Sequence, residues 1–494
     1  MAVEHIDILI VGAGLSGIGA GYYVQKECHQ KTYSILEARE AMGGTWDLFR
    51  YPGIRSDSDM YTLGYAFKPW VEAKAIADGP SILKYINETA KEYGIDQHVR
   101  YQHRVVKAVW TSQQAKWTVE VLTGPDRTIQ QFSCYFLYLC AGYYNYDAGY
   151  TPEIPGRQSF QGTIVHPQLW TSDIDYKNKN VVVIGSGATA VTLVPELAKE
   201  AKHVTMLQRT PTYIVSMPSR DKWATRFRKL LPSRMAYSLS RWKNVLFGML
   251  FYQVCKLSPG FARMLISKGI KTQLGSSFDL KHFDPPYNPW QQRLCLVPDA
   301  DLFESIKHGN VDIITDTIES FNTIGIRLTS GKQLDADLIV TATGLKLKLM
   351  GGMELWIDDK QVQLDQHKVY KGMMLNNVPN MAFAIGYTNA SWTLKADLSS
   401  QYVCRLINYM DQHHYISCMP VIKTRQRDEP IMDFTSGYIL RDIDHLPKQG
   451  SHRPWKLYQN YALDLITLRY GTVSDSMRFQ RDTPKQSSHT DTSA

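Results

Sequence analysis

The sequence predicts an α/β fold with two dinucleotide-binding domains, the second carrying a helical insert, and three observations predict it. A glycine fingerprint, Gly12-Ala13-Gly14-Leu15-Ser16-Gly17, follows the apolar run Ile6 to Val11 and opens a stretch of helical spacing that reaches about Glu27. A second fingerprint, Gly185-Ser186-Gly187-Ala188-Thr189-Ala190, follows Val181 to Ile184 and opens another helical stretch. Beyond it lies a long segment dense in Lys and Arg before strand-like patterns resume. With 494 residues, 44% of them hydrophobic, the chain is long enough for two or three separate cores.

In the first fingerprint Gly12 permits a tight turn, Gly14 lets the backbone approach a pyrophosphate, and Gly17 brings helix and strand together. The helix N-terminus then supplies N–H donors and a positive dipole end, so a phosphate needs no basic side chain there. Glu37 ends the next strand, Tyr33 to Glu37, where an acid accepts the ribose hydroxyls. These are the features of a Rossmann-like unit. At the second fingerprint the strand His203 to Leu207 ends instead in Gln208-Arg209-Thr210. A guanidinium stands near the missing acid, which favours a 2′-phosphate and hence NADPH over NADH.

The strand around His103 to Val106 is expected to complete the adenine side of the first domain, with Val105 meeting the ring through its backbone. Phe136 to Gly142 is an apolar strand ending in small residues, and Asp337 to Gly344 repeats the pattern. They mark the points where the chain leaves and re-enters the first domain. The expected order is therefore a first part of one domain over 1–150, a first part of the other over 151–215, a basic helical insert over 216–290, second parts over 291–340 and 341–479, and a disordered tail over 480–494. After the return a helix is expected over Leu394 to Met410, and two readings of its start near Ser391-Trp392-Thr393 stand: its N-terminus points at a bound cofactor, or Trp392 serves packing.

From Ser219 to Gly275 there are twelve Lys and Arg and one acid, Asp221, a local balance of +11 in a chain whose net charge is +8. Two readings stand. The segment is a basic amphipathic surface lying on an anionic membrane, or an insert packed on the nucleotide domains with its cations solvated or facing NADPH phosphates. No nucleic-acid recognition motif occurs. Seven scattered cysteines without a CxxC indicate neither a disulfide framework nor a dithiol centre and place the protein in a reducing cytoplasm, with peripheral contact to the inner membrane face allowed through 219–275. The N-terminus lacks the basic region of a signal peptide, and no stretch reaches the ~20 apolar residues of a membrane span. His413-His414 has no ligand-spaced companions, so no metal is expected, and no hydrolase motif is found.

The stretch Gly43-Gly44-Thr45-Trp46 through Tyr51-Pro52-Gly53 to Asp57 matches in full the first signature of Baeyer–Villiger monooxygenases. Phe160, Gly162, His166 and Trp170 match that family's second signature, with a departure at Thr171. The chain thus resembles class B flavoprotein monooxygenases over nearly its whole length, and its wording is most similar to the ethionamide-activating branch. The resemblance implies FAD in the first domain and NADPH in the second. FAD contacts would come from Ser16, Glu37, Thr45, Trp46, Asp47, Leu48, Arg55, Ser56 and Asp57, and NADPH contacts from Arg209 and Thr210. It makes Arg293 the family's essential arginine and Asp57 its orienting partner, with Phe160, Gly162, His166 and Trp170 at a hinge between domains. Gln292 stands where many relatives have a Lys on the 2′-phosphate. The implied activity uses O2 to insert oxygen into lipophilic ketones and to oxidise sulfides through a flavin C4a-peroxide. A monooxygenase confined to heteroatom oxidation or long-chain hydroxylation is the near alternative, and a non-oxygenating flavin redox sensor the distant one.

Overall fold

The structure, a computed structural model, describes residues 3–275, 278–432 and 434–482. The apolar run at the N-terminus forms the strand Glu4–Val11, which pairs in parallel with Tyr33–Leu36 on one side and Thr128–Leu139 on the other, so that Ile10 lies between Ile35 and Tyr138. Both faces are covered, and Leu9 and Ile10 are fully buried, as a central parallel strand requires. An antiparallel meander, His103–Thr111, Lys116–Thr123 and Thr128–Leu139, extends this nine-stranded sheet, and Met381–Phe383 adds to it in parallel after the chain returns. A Cβ on Gly17 would sit 1.8 Å from the Gly12 carbonyl oxygen, so the helix Leu15–Glu27 approaches its strand more closely than any side chain allows.

The second sheet is wholly parallel, in the order Val311–Thr315, His203–Gln208, Asn180–Ile184, Leu338–Thr341, Thr163–Val165. Its fingerprint helix is Ala188–Leu197. Where the chain leaves the first domain it forms Tyr144–Gly149, and where it returns it forms Leu345–Leu347; these two strands pair antiparallel, so both crossings run as one ribbon.

The insert is three helices, Lys222–Leu230, Ser233–Leu257 and Pro259–Leu274. Though inserted in the second domain, the middle helix docks on the first. Its Tyr237 hydroxyl donates to the Tyr65 carbonyl at 2.9 Å, and Asn244 donates to Asp59 at 2.8 Å. Arg241 donates to the carbonyls of Tyr61 and Gly64 at 2.8 and 2.7 Å and lies 3.6 Å from Asp397. This cation is therefore neither solvated nor turned toward a phosphate. Burial pushes the Asp397 carboxyl up to about 6 despite Arg241. The third helix buries Ile266 and Ile270 in the second domain's core.

The tail begins later than the sequence implies. Gln480 and Arg481 belong to the strand Met477–Arg481 and pair with Ser417 and Tyr415, while residues 483–494 lie outside the described residues. Edge pairing orders a polar segment whose composition alone reads as solvated. No single described helix is long and apolar enough to cross a membrane; Ser233–Leu257 and Pro259–Leu274 reach that composition together but meet at 117°. All seven cysteines are free and buried. Among the described residues no group of three metal-ligating side chains occurs.

Candidate active site

A cavity of about 1350 Å³ runs along the C-terminal ends of the parallel strands that carry the two fingerprints and is lined by both fingerprints. In its first half the helix Leu15–Glu27 starts at Gly14 with no side-chain cap, leaving its first N–H groups toward the cavity wall formed by Gly12, Gly14 and Ser16. Gly44, at φ +57°, closes over Gly14: a Cβ there would lie 3.1 Å from the Gly14 Cα. The two glycine backbones pack directly on each other, and a side chain on Gly44 would have no room there. Glu37 accepts hydrogen bonds from the Ala13 and Arg39 amides at 2.7 and 2.9 Å, and burial raises its pKa. Val105 lines the same end. Thr45 lies 3.2 Å from the Tyr146 hydroxyl, and Trp46 lines the wall beside it. Uncapped donors, a glycine turn and a buried acid at the second strand's end are the donor set of a dinucleotide.

The helix Trp392–Gln412 also begins at the cavity without a side-chain cap. Trp392 donates to the Ser16 hydroxyl at 2.8 Å and stacks on Tyr143 with ring centroids 5.2 Å apart. Packing and placement beside the site are thus one role for this residue.

In the second half Gly185, Ser186, Gly187, Ala188 and Thr189 line the wall. Gly185 has φ +139°, and a Cβ there would strike the Ala342 carbonyl at 2.4 Å. Ser186 donates to the Thr210 carbonyl at 2.9 Å, which fixes the turn carrying Arg209. Arg209 is exposed, lines the cavity and makes no hydrogen bond or ion pair with the other described residues. Gln292 faces the same cavity.

Between the halves, Arg293 meets Asp57 at 2.7 Å. Asp57 comes from the first domain's loop and Arg293 from the segment before Cys295–Pro298, so the pair spans both domains. The arginine is 36% exposed, and the cavity is lined by it. The Asp57 charge raises the Arg293 pKa further above its ordinary value, against the opposing effect of burial. Tyr143, Tyr144 and Tyr438 lie close enough to influence the guanidinium, and the hydroxyls of the first two are 3.0 Å apart.

Several expected contacts lie off the cavity. Gly17 and Ala190 sit behind their turns against the sheets. Asp47 is buried between Arg39 and Arg50, so it positions Arg39, which lines the wall, instead of lining it itself. Leu48 packs into the second domain's core. Arg55 and Ser56 do line the cavity, but the Arg55 guanidinium is held by Asp301. Phe160 is in a core cluster, and a Cβ on Gly162 would meet the Asp337 carbonyl at 2.5 Å. Trp170 packs on Tyr176. His166 binds the crossings themselves: Nδ1 accepts from the Gln168 amide at 3.1 Å, so Nε2 carries the proton and donates to the Gly344 carbonyl at 3.1 Å. Its ring packs where a Gly149 side chain would be.

Sequence reasoning did not single out Arg39, Tyr143, Tyr144, Tyr146 or Tyr438. The run Tyr143-Tyr144 directly after the first crossing was the available signal.

Comparison with known proteins bears on this geometry. Residues 76–413 match the family model described as flavin-binding monooxygenase-like, and residues 10–71 match an NAD(P)-binding Rossmann-like domain. The FAD-containing monooxygenase EthA of Mycobacterium tuberculosis is 54% identical over 484 residues, covering 97% of this chain and 98% of its own. This chain belongs to the flavin-binding monooxygenase-like family. The probable FAD-binding monooxygenase AlmA of Acinetobacter baylyi is 46% identical, with 96% of each chain covered. A steroid monooxygenase solved with NADP superposes with a TM-score of 0.76 at 20% identity, over 97% of this chain and 100% of that one, which shows the two-domain fold. This monooxygenase uses FAD and NADPH, and O2 and an organic compound are its substrates.

Proposed function

We propose that this monooxygenase inserts one oxygen atom into lipophilic ketones, giving esters or lactones, and oxidises sulfides at the same site. The observation that supports this above all is the Arg293–Asp57 pair, set between two nucleotide cradles on one cavity wall. Bound there, FAD reduced by NADPH supplies the activated oxygen. Arg293 keeps its proton at any working pH, since the adjacent Asp57 charge strengthens its hold. A fixed cation at this point would stabilise negative charge developing on the reacting oxygen atoms. Asp57 positions that cation by a charge-assisted hydrogen bond. Gly12, Gly14, Ser16, Glu37, Thr45, Trp46 and Val105 hold FAD, and Gly185 to Thr189, Arg209 and Thr210 hold NADPH. Met353, Met432, Phe434 and Leu440 line the remaining wall and favour an apolar substrate. Seven buried free thiols fit work in a reducing cytoplasm.

The test is to incubate the yellow holoenzyme with NADPH, O2 and a panel of ketones and sulfides and to identify products by mass spectrometry. Esters or lactones are expected, and Arg293→Ala should lower their rate by about 10²–10³-fold while FAD stays bound. Sulfoxides or alcohols alone would sink the ketone reading. Esters formed as fast by the variant would remove Arg293 from it.

A further inference from the structure

The insert carries a second apolar face that the fold does not use. On the long helix, Met235, Leu239, Leu246 and Leu250 recur at i, i+4, i+11 and i+15 and are all exposed, Leu250 to 64%, while Trp242 at i+7 on the same side packs its ring against Tyr461. They lie opposite the buried face formed by Tyr237, Arg241 and Val245. Leu257, at the bend, is 81% exposed, and Phe261, Met264 and Leu265 continue the surface onto the next helix. Trp223 and Leu230 contribute from the first helix of the insert. Arg226, Lys229, Arg234, Lys268 and Lys271 are exposed among them and form no ion pair with a described carboxylate.

A single face this apolar and this cationic has one matching partner. A second copy docking through the same face would bring two segments of +11 together. Nucleic acid would satisfy the cations and leave the Leu, Phe and Met stripe in water. An anionic bilayer takes both: acyl chains receive the apolar side chains, and the headgroups pair with the Lys and Arg that fringe them. We propose that the surface formed by Trp223, Leu246, Leu250 and Leu257, with Arg226, Lys229 and Lys268, docks this enzyme on the surface of an anionic lipid bilayer.

The inner side of the same helix reaches the active-site wall. Val245 and Met249 pack with Tyr387 and Ala390, both of which line the cavity. Tyr252 rests edge-on against Trp290, 5.7 Å between centroids, three residues from Arg293. The bilayer and the reaction cavity are therefore separated by one helix, on the order of 10 Å across. An apolar substrate dissolved in lipid has a short route to the site. That second step rests on the proposed substrate class; the docking itself does not.

Flotation of the holoenzyme with vesicles tests it without turnover. Vesicles of equal parts phosphatidylcholine and phosphatidylglycerol should carry the protein up the gradient, with pure phosphatidylcholine binding at least about tenfold more weakly. Leu246→Asp with Leu250→Asp should lower binding about 100-fold or more, and Arg226→Gln with Lys229→Gln about 25-fold. The variants should keep bound yellow FAD and the wild-type rate of NADPH oxidation, which excludes misfolding. Absent flotation, equal binding to neutral vesicles, or full binding by the Leu246→Asp, Leu250→Asp variant would overturn the proposal. So would a wild-type dimer that this variant dissolves, since the face would then be covered by a second copy.

Discussion

The two fingerprints share a motif and differ in enclosure. At the first, Ser16 and Glu37 are buried, Gly44 closes over Gly14, and Trp392 reaches back to Ser16 from a distant helix. At the second, Gly187 and Ala188 are exposed, nothing lies within 4 Å of a Cβ placed on Gly187, and Arg209 extends without a partner. The same strand–turn–helix unit thus builds a closed slot and an open shelf. A group held in the first must be surrounded by the folded chain, whereas one on the second can come and go. That is the division of labour between a resident FAD and an NADPH that is consumed and replaced.

The sharpest way to break this comparison is to put a methyl group at each turn. Gly44→Ala, over the first turn, must hold a side chain at a φ of +57° with its Cβ 3.1 Å from the Gly14 Cα. The expected outcome is loss of yellow holoenzyme on purification. Gly187→Ala meets no protein atom, so it should fold, retain FAD and raise the KM for NADPH about tenfold by intruding where the pyrophosphate approaches. If the two variants retained FAD equally, the contrast in enclosure would be without consequence.

The features legible in the sequence are those that short spans determine. Strand, glycine turn and helix occupy one local window, so both domains, both crossings and Glu37 could be placed from pattern alone. Arg293 and Asp57 were named through a family resemblance, and only folding brings them to 2.7 Å. What stayed hidden depends on contacts remote in sequence. Arg241 looks like any cation in a basic run, yet it is buried because the carbonyls after Tyr61 and the Asp397 carboxylate converge on it. Asp47 carries the family signature but spends its charge on Arg39 and Arg50. Composition likewise could not place Gln480 and Arg481 in a strand, since their order comes from the edge offered by Tyr415–Pro420.

A smaller effect sharpens the open shelf itself. Arg209→Gln should raise the KM for NADPH by about 10–100-fold, the cost of one charge-assisted phosphate contact, while leaving the KM for NADH within about twofold. Gln292→Lys should move the ratio the other way by adding a cation on the same wall. An Arg209→Gln enzyme that discriminated between the two cofactors as well as wild type would place the 2′-phosphate elsewhere, and the exposed guanidinium would then be only a solvated strand-end cation.

The smallest effect lies where the two units are joined. His166 donates from Nε2 to Gly344 on the returning crossing and fills the space beside Gly149 on the outgoing one, so a neutral ring ties the ribbon together. Burial is the largest influence on it and lowers its pKa below 6.5. The unfolded chain therefore takes up this proton first as pH falls. Stability contributed by the neutral ring is complete above about 6.5 and is lost as pH drops toward the lower folded value. His166→Gln keeps an N–H donor without a titrating group, so its melting temperature should fall less than that of wild type between pH 7 and pH 5.5. FAD should remain bound in both proteins, because the substitution leaves the Tyr146 contact with Thr45 in place. A steeper loss in the variant would mean that the folded protein holds the His166 proton more tightly than the unfolded chain does.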